Sequence, residues 1–431
     1  MPPGLAAPPK PRWLSGLWLP YRNLSRGFWT FFAAALFYEA GFGLYFFLFN
    51  LYLLDLHFDE KAIGLINSAL SLGLLVTTLP VGILSRRFGA RPLLLFCFLV
   101  APLLGVLRAL WVWEPAQIGL AFTAGLVMSI WTVCFLPVSA SFTSESNRTS
   151  AIGLLFSVGI GATAVASAAS GYLSRRIGML HPGFGPAETK RVVLLIACAV
   201  ALLAALPLLR LPAGDPSPRT HTAVRAWDPG LLRNSFLRRY LPCVAIWTSL
   251  LAAFTPFAGV YFSAERHIAL TAVGLIFGVS QIAQLIAGFL IPVLVRRCGL
   301  LDATFVTQLG TALLLVGLVL AGAPAWAAAA FVLYSAAQWM SSTAIYTLLM
   351  SAMAEADRSS ASAMTMFCNS LGTACATSAA GALLVRFHYA PVLAGIAVLQ
   401  AALAILFRRL MQDRRRSLAL APALPAGGIT D

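Results

Sequence analysis

The chain has 431 residues, of which 59% are apolar and only 10% charged, and its mean hydropathy is +0.84. A soluble chain of this length would form roughly three domains and carry about 25% charged residues to cover them. Too few polar side chains are present to wet such a surface, which excludes a soluble globule and leaves an all-α polytopic membrane protein in a lipid bilayer. The formal charge of +15 would suit a nucleic acid, but the basic residues sit between apolar runs, so no nucleic-acid partner is expected.

In chain order, residues 1–27 are Pro-rich and basic and read as an uncleaved cytoplasmic tail. Apolar runs of about 17 to 25 residues can each cross a roughly 30 Å hydrocarbon core as a helix. Six such runs, at 28–54, 62–84, 92–112, 117–139, 150–173 and 191–209, make an N-terminal bundle over 28–209. Residues 210–239, with Pro212, Pro216, Pro218, Pro229 and six arginines, form a cytoplasmic linker. Six more runs, at 240–262, 271–295, 303–321, 326–350, 360–384 and 390–407, make a C-terminal bundle over 240–407, followed by a cytoplasmic tail over 408–431.

Basic residues resist translocation, so their distribution sets the orientation. With both termini inside, the inner segments hold 22 Lys and Arg against 7 outside, and Arg108 remains within a helix. The expected location is a cell inner membrane, multi-pass, with cytoplasmic termini. The seven cysteines lack metal-like spacing and read as small core residues, so no metal site is expected. No Walker loop and no nucleophile–base pair is present, so ATP hydrolysis and enzymatic chemistry are not expected.

The halves repeat at a constant shift of 210 residues. Ala62-Ile-Gly-Leu-Ile66 matches Ala272-Val-Gly-Leu-Ile276, Arg86-Arg-Phe-Gly89 matches Arg296-Arg-Cys-Gly299, Glu145-Ser-Asn-Arg148 matches Glu355-Ala-Asp-Arg358, and Gly171 matches Gly381. Four matches at one offset, at equivalent helix ends, point to two pseudo-symmetric six-helix bundles of common descent.

The stretch from Gly82 to Arg91, Gly-Ile-Leu-Ser-Arg-Arg-Phe-Gly-Ala-Arg, with its echo at Arg296–Gly299, resembles the loop motif of the major facilitator superfamily. The sequence departs from that motif at Arg86, where the family has an acid, and at Ala90, where it has a base. The helix-five Gly-Pro signature of drug/proton antiporters is also missing. The resemblance implies that helices 1, 4, 7 and 10 line a central cavity and that helices 2, 5, 8 and 11 form the moving interface. Small residues at four-residue spacing on the interface helices, Ala69/Gly73/Thr77, Gly153/Ser157/Gly161, Gly274/Gly278 and Gly372/Ala376/Ala380, suit backbones that approach and slide.

A charge near the bilayer centre costs at least about 2.5 to 3.5 kcal/mol, so ionisable residues at that depth point to function. Glu39 lies 11 residues into the first segment, and Glu39, Gly43, Phe46 and Asn50 share one helical face. Loss of water favours the neutral acid, so such a carboxyl can take up and release protons or pair with a cationic substrate. Its alternative role is a structural hydrogen bond to a neighbouring helix. Trp131, Trp247, Gln338 and Trp339 sit at comparable depths on the other presumed cavity helices and are candidate substrate contacts. Arg108, within a turn of Trp111 and Trp113, reads as an interfacial anchor.

The loop motif and its partners suggest a cytoplasmic gate. Gly82, Arg86, Arg87, Gly89 and Arg91 form its loop; Arg86 and Arg87 would meet Glu355 and Asp357, and Arg296 and Arg297 would meet Glu145. The alternative is that all these charges simply meet cytosol. With no basic residue expected in the cavity, the reading is a secondary transporter of a small neutral or cationic amphipathic solute, working by alternating access. No cofactor is expected beyond an ion gradient, taken to be protons. Proton-coupled efflux is the leading expectation. Solute uptake and a non-transporting receptor or lipid-handling protein are the alternatives, and a monomer suffices for each.

Overall fold

The computed structural model describes residues 24–143, 148–210, 229–354 and 357–419, which are helical almost throughout and contain no strand. Most of the linker, both distal tails, Glu145 and Glu355 lie outside the described residues. The first half contains α1 (Arg26–Asp55), α2 (Glu60–Phe88), α3 (Ala90–Leu110), α4 (Glu114–Ser141), α5 (Arg148–Leu180) and α6 (Pro186–Leu202, continued by the turn Ala205–Arg210). The second contains α7 (Ser235–Ala252), α8 (Leu270–Cys298), α9 (Leu300–Leu320), α10 (Pro324–Ala352), α11 (Arg358–Phe387) and α12 (Tyr389–Ala419). Among the described residues eleven of the twelve are long and apolar enough to cross a membrane. The exception, α10, has the length but carries Gln338 and a Ser/Thr-rich second half.

Local chemistry sets the ends. Ser25 accepts the Phe28 N–H, Asp59 that of Ala62 and Asn234 that of Phe236, each satisfying a donor that the first helical turn leaves unpaired. Between α2 and α3, and again between α8 and α9, the chain turns on one residue: Gly89 at φ 80° and Gly299 at φ 83°. That left-handed region disfavours a side chain, which is why both copies of the loop motif place glycine there.

The 210-residue repeat reappears as contact geometry. α2 packs against α11, and α5 against α8, so the two halves meet along two seams. A Cβ on Gly64 would lie 2.5 Å from Thr377 O, and one on its counterpart Gly274 would lie 2.6 Å from Ser167 O. Likewise a Cβ on Gly171 would lie 2.6 Å from Leu270 O, and one on Gly381 would strike Glu60 O. Both residues of each contact are shifted by 210, so the seams are one interface built twice.

Two of the four small-residue stripes serve contacts inside one half, and a third has open space beside its glycines. Gly73 packs on Gly125, and the Thr77 hydroxyl bonds Gly73 O and Leu126 O, so that stripe faces α4 within its own half. Gly372 faces Ser249 and Ala245 of α7, while a Cβ on Gly153 or Gly161 would meet nothing within 4 Å. Only Gly274 and Gly278 lie in a seam. Four-residue spacing marks a face on which a neighbour can come close and does not say which neighbour does.

The seams close one end of the molecule, where α2 begins and α11 ends. Toward the end where α2 meets α3, a Cβ on Gly82, Gly153 or Gly161 would meet nothing within 4 Å.

Candidate functional site

α7 does not run through to its expected end. Pro256 has no N–H to continue the ladder, so after Ala252 the chain passes through a 3-10 turn at Thr255–Phe257, one helical turn at Ala258–Val260 and a π-turn at Tyr261–Glu265. The break frees the Pro256 carbonyl, which accepts a hydrogen bond from Asn50 Nδ2 of α1 at 2.8 Å. Asn67 of α2 donates to Asn50 Oδ1 at 3.2 Å and to Ile63 O. These amides roof a cavity of about 420 Å³, within the usual range for a small-molecule site.

Glu39, Gly43, Phe46 and Asn50 all line this cavity, as their shared helical face requires. Trp131 of α4 lines it too and donates its indole N–H to Glu39 Oε1 at 2.9 Å. The indole is itself held by Tyr38, Phe98 and Phe135, with ring centroids 5.0, 5.5 and 4.8 Å away. Glu39 is half-buried, and neither ion pair found among the described residues, Lys190–Asp55 and Arg408–Asp302, includes it. Among the described residues no lysine or arginine lines the cavity. One carboxyl among aromatic walls with no counter-cation can hold a proton or a cationic group, and the Asn50/Asn67 end offers hydrogen bonds to a neutral polar group.

The other candidates on the cavity helices are not part of this wall. Trp247 is 1% exposed in the packed interior of the C-terminal half, with its Nε1 lacking a partner. Trp339 is 38% exposed and leans toward Gly288 of α8, and Gln338 beside it is half-buried outside the cavity. Polar residues that the sequence reading passed over do line it: Asn67, Thr163, Ser167, Thr255 and Gln281. Asn67 and Gln281 carry the stronger signal, as amides inside apolar helices; isolated Ser and Thr there are too common to stand out.

At the end where α2 meets α3, Arg91 donates through Nη2 to Leu209 O at 2.7 Å, tying α3 to the end of α6 inside its own half. Arg87 lies over the Phe88 ring, Arg296 and Arg297 are exposed, and Asp357 is half-buried. None of these four is in an ion pair with another described residue. Arg358 donates through Nε to Met350 O and so covers the end of α10.

The sequence model of the Major Facilitator Superfamily matches residues 31–377 and 253–428. The chain belongs to the major facilitator superfamily. This superfamily member is accordingly a transporter rather than an enzyme, and no sequence among curated proteins matches it significantly. Among solved structures it is similar to the nucleoside transporter NupG, at 16% identity and TM-score 0.73 over 90% of this chain and 100% of that one. It is also similar to a bacterial homolog of the human lysosomal transporter Spinster in an inward-facing and occupied conformation, at 14% identity and TM-score 0.70 over 92% and 98%. A D-xylose-proton symporter is similar at 15% identity and TM-score 0.69 over 88% and 95%. At these identities the likeness is one of fold. Within that fold the cavity departs from the 1-4-7-10 lining implied by the loop motif. Here α1, α4 and α7 are joined by Asn67 of α2, Thr163 and Ser167 of α5, and Phe277 and Gln281 of α8, while α10 contributes no lining residue.

Proposed function

We propose that this transporter is a proton-coupled exporter of small neutral or cationic amphipathic solutes. The observation that carries the reading is Glu39, the one carboxyl on a cavity wall otherwise built from aromatics, amides and hydroxyls. In its ionised form Glu39 pairs with a cationic centre; when it gains a proton the attraction is lost and the solute leaves. Trp131 fixes the carboxyl while leaving Oε2 to proton or ligand. Export is the direction in which coupling does useful work on an amphipath, because such a solute enters a cell through lipid unaided.

The energy source is the proton gradient, with no cofactor, in a cell membrane with both termini cytoplasmic. In that orientation the amide roof and the glycine seams close the outside. When the inside closes instead, Arg86 and Arg87 meet Glu355 and Asp357, and Arg296 and Arg297 meet Glu145.

Reconstituted vesicles test the reading. Glu39→Gln keeps the shape and hydrogen bonding of the side chain but cannot exchange a proton, so gradient-driven accumulation of a cationic amphipath should be lost while exchange down its own gradient persists. Uphill transport by Glu39→Gln at the wild-type rate would refute it.

A further inference from the structure

Behind the wall of the transport cavity lies a second, smaller chamber. Its volume is about 20 Å³, room for a water or a single halide-sized ion and too little for an organic ligand. Small residues line it: Gly41 on α1, Ala101 and Gly105 on α3, and Ala197 and Ala201 on α6, with Gly41 and Gly105 letting α1 and α3 come close against α6. Phe42, Phe46 and Met128 line both spaces and separate them.

Arg108 is the charged group in this chamber. It is 4% exposed rather than anchored at the interface as its place near a helix end implied, whereas Trp111 and Trp113, at 56% and 64% exposed, are at the surface. Its guanidinium carbon lies 4.1 Å from the Phe49 ring centroid, and its Nε has no hydrogen-bond acceptor. It is in neither ion pair found among the described residues. An aromatic face offsets a buried cation only in part, and arginine cannot shed its proton to escape the cost.

We propose that this chamber is an anion site, and that a chloride ion held by Arg108 is the missing counter-charge. The walls select for a halide. The Tyr45 hydroxyl is already committed to Gly105 O, and the Gln117 amide to Arg108 O and Trp111 O. An anion entering here finds the guanidinium and little else, which suits a weakly hydrated monovalent ion and leaves sulfate or phosphate short of donors. Occupancy also affects the neighbouring cavity: a bare cation behind the Phe42/Phe46 wall repels a positively charged solute, and chloride removes that repulsion.

The test uses the full chain, purified in detergent in sodium gluconate, with radioactive chloride as the probe in equilibrium dialysis. Saturable binding of one ion per chain is expected, displaced by bromide and not by sulfate, and lost in Arg108→Gln. Because Arg108→Gln can fail to fold, Cys198→Leu provides a second variant. Cys198 lines the chamber, so leucine there fills it while the charge stays in place. Chloride binding should be lost in a monodisperse Cys198→Leu protein as well. No saturable binding by the wild type, equal displacement by sulfate, or binding retained in either folded variant would each overturn the proposal.

Discussion

Asn50 donates its side-chain amide to the carbonyl of Pro256, 206 residues along the chain, and so ties α1 to the break in α7 at the closed end of the cavity. This bond spans the two halves and must part when that end opens. Asn50→Ala removes it and leaves a carbonyl unpaired, at a cost of about 1 kcal/mol to the closed form. That is about a fivefold shift in population. Labelling of a cysteine placed at Ser167, in a background free of other cysteines, should quicken by that factor when an impermeant maleimide is applied from the closed side. An unchanged rate would mean that the bond does not hold the roof.

The seams should resist any added carbon. Gly64→Ala places a Cβ 2.5 Å from Thr377 O, a backbone atom that cannot move aside, and overpacking of this kind costs about 1–3 kcal/mol. Gly153→Ala meets nothing within 4 Å and should instead stabilise its helix by about 0.5–1 kcal/mol. Thermal unfolding in detergent should therefore move the two variants in opposite directions, and Gly381→Ala should behave like Gly64→Ala.

Two tryptophans at similar depth should respond differently. Trp131→Phe keeps an aromatic wall but deprives Glu39 of its donor, a loss of about 1 kcal/mol, so coupled accumulation should fall about fivefold. Trp247→Phe deletes a buried N–H that has no partner, and relief of that cost offsets the lost contact, leaving stability within about 1 kcal/mol and transport unchanged. Equal transport defects in the two variants would place Trp247 in the solute path.

The proposed latch at the opposite end is testable by charge reversal. Glu355→Arg should favour the conformer open at that end, and adding Arg86→Glu with Arg87→Glu should restore the balance. Exposed pairs are worth only about 0–1 kcal/mol each, enough to bias two nearly equal states. Cysteine accessibility near Gly82 reports the position of the equilibrium. A triple variant no closer to wild type than the single one would eliminate the latch.

What the sequence disclosed followed periodicity. The face carrying Glu39, Gly43, Phe46 and Asn50 was legible because one helix fixes which of its residues point the same way, and the repeat was legible because identical spacing survived in both halves. What it concealed depends on how helices rotate against one another. Trp131 and Trp247 occupy comparable depths, yet one turns to the cavity and the other to the interior. Arg108 stands near a helix end by count, but α1 and α6 cover it. Pro256 lies inside the expected 240–262 run, and that the helix breaks there and its freed carbonyl meets Asn50 is known only from the fold.

The two seams share their close backbone contacts and differ in side chains. The Ser68 hydroxyl donates to Ala374 O at 2.5 Å and lies 2.7 Å from the Thr377 hydroxyl. Its counterpart Gly278 has no hydroxyl to offer, and a Cβ there would lie 2.9 Å from Ala164 O and 3.3 Å from the Ala168 Cβ. One seam is thus fastened by hydroxyls at a position where the other has close packing in their place. Opening should begin as a lopsided tilt in which the α5–α8 side yields first, cutting a lateral slit toward the membrane interior before any passage forms to water. An oily solute leaving by that slit would be delivered into the lipid leaflet rather than into solution.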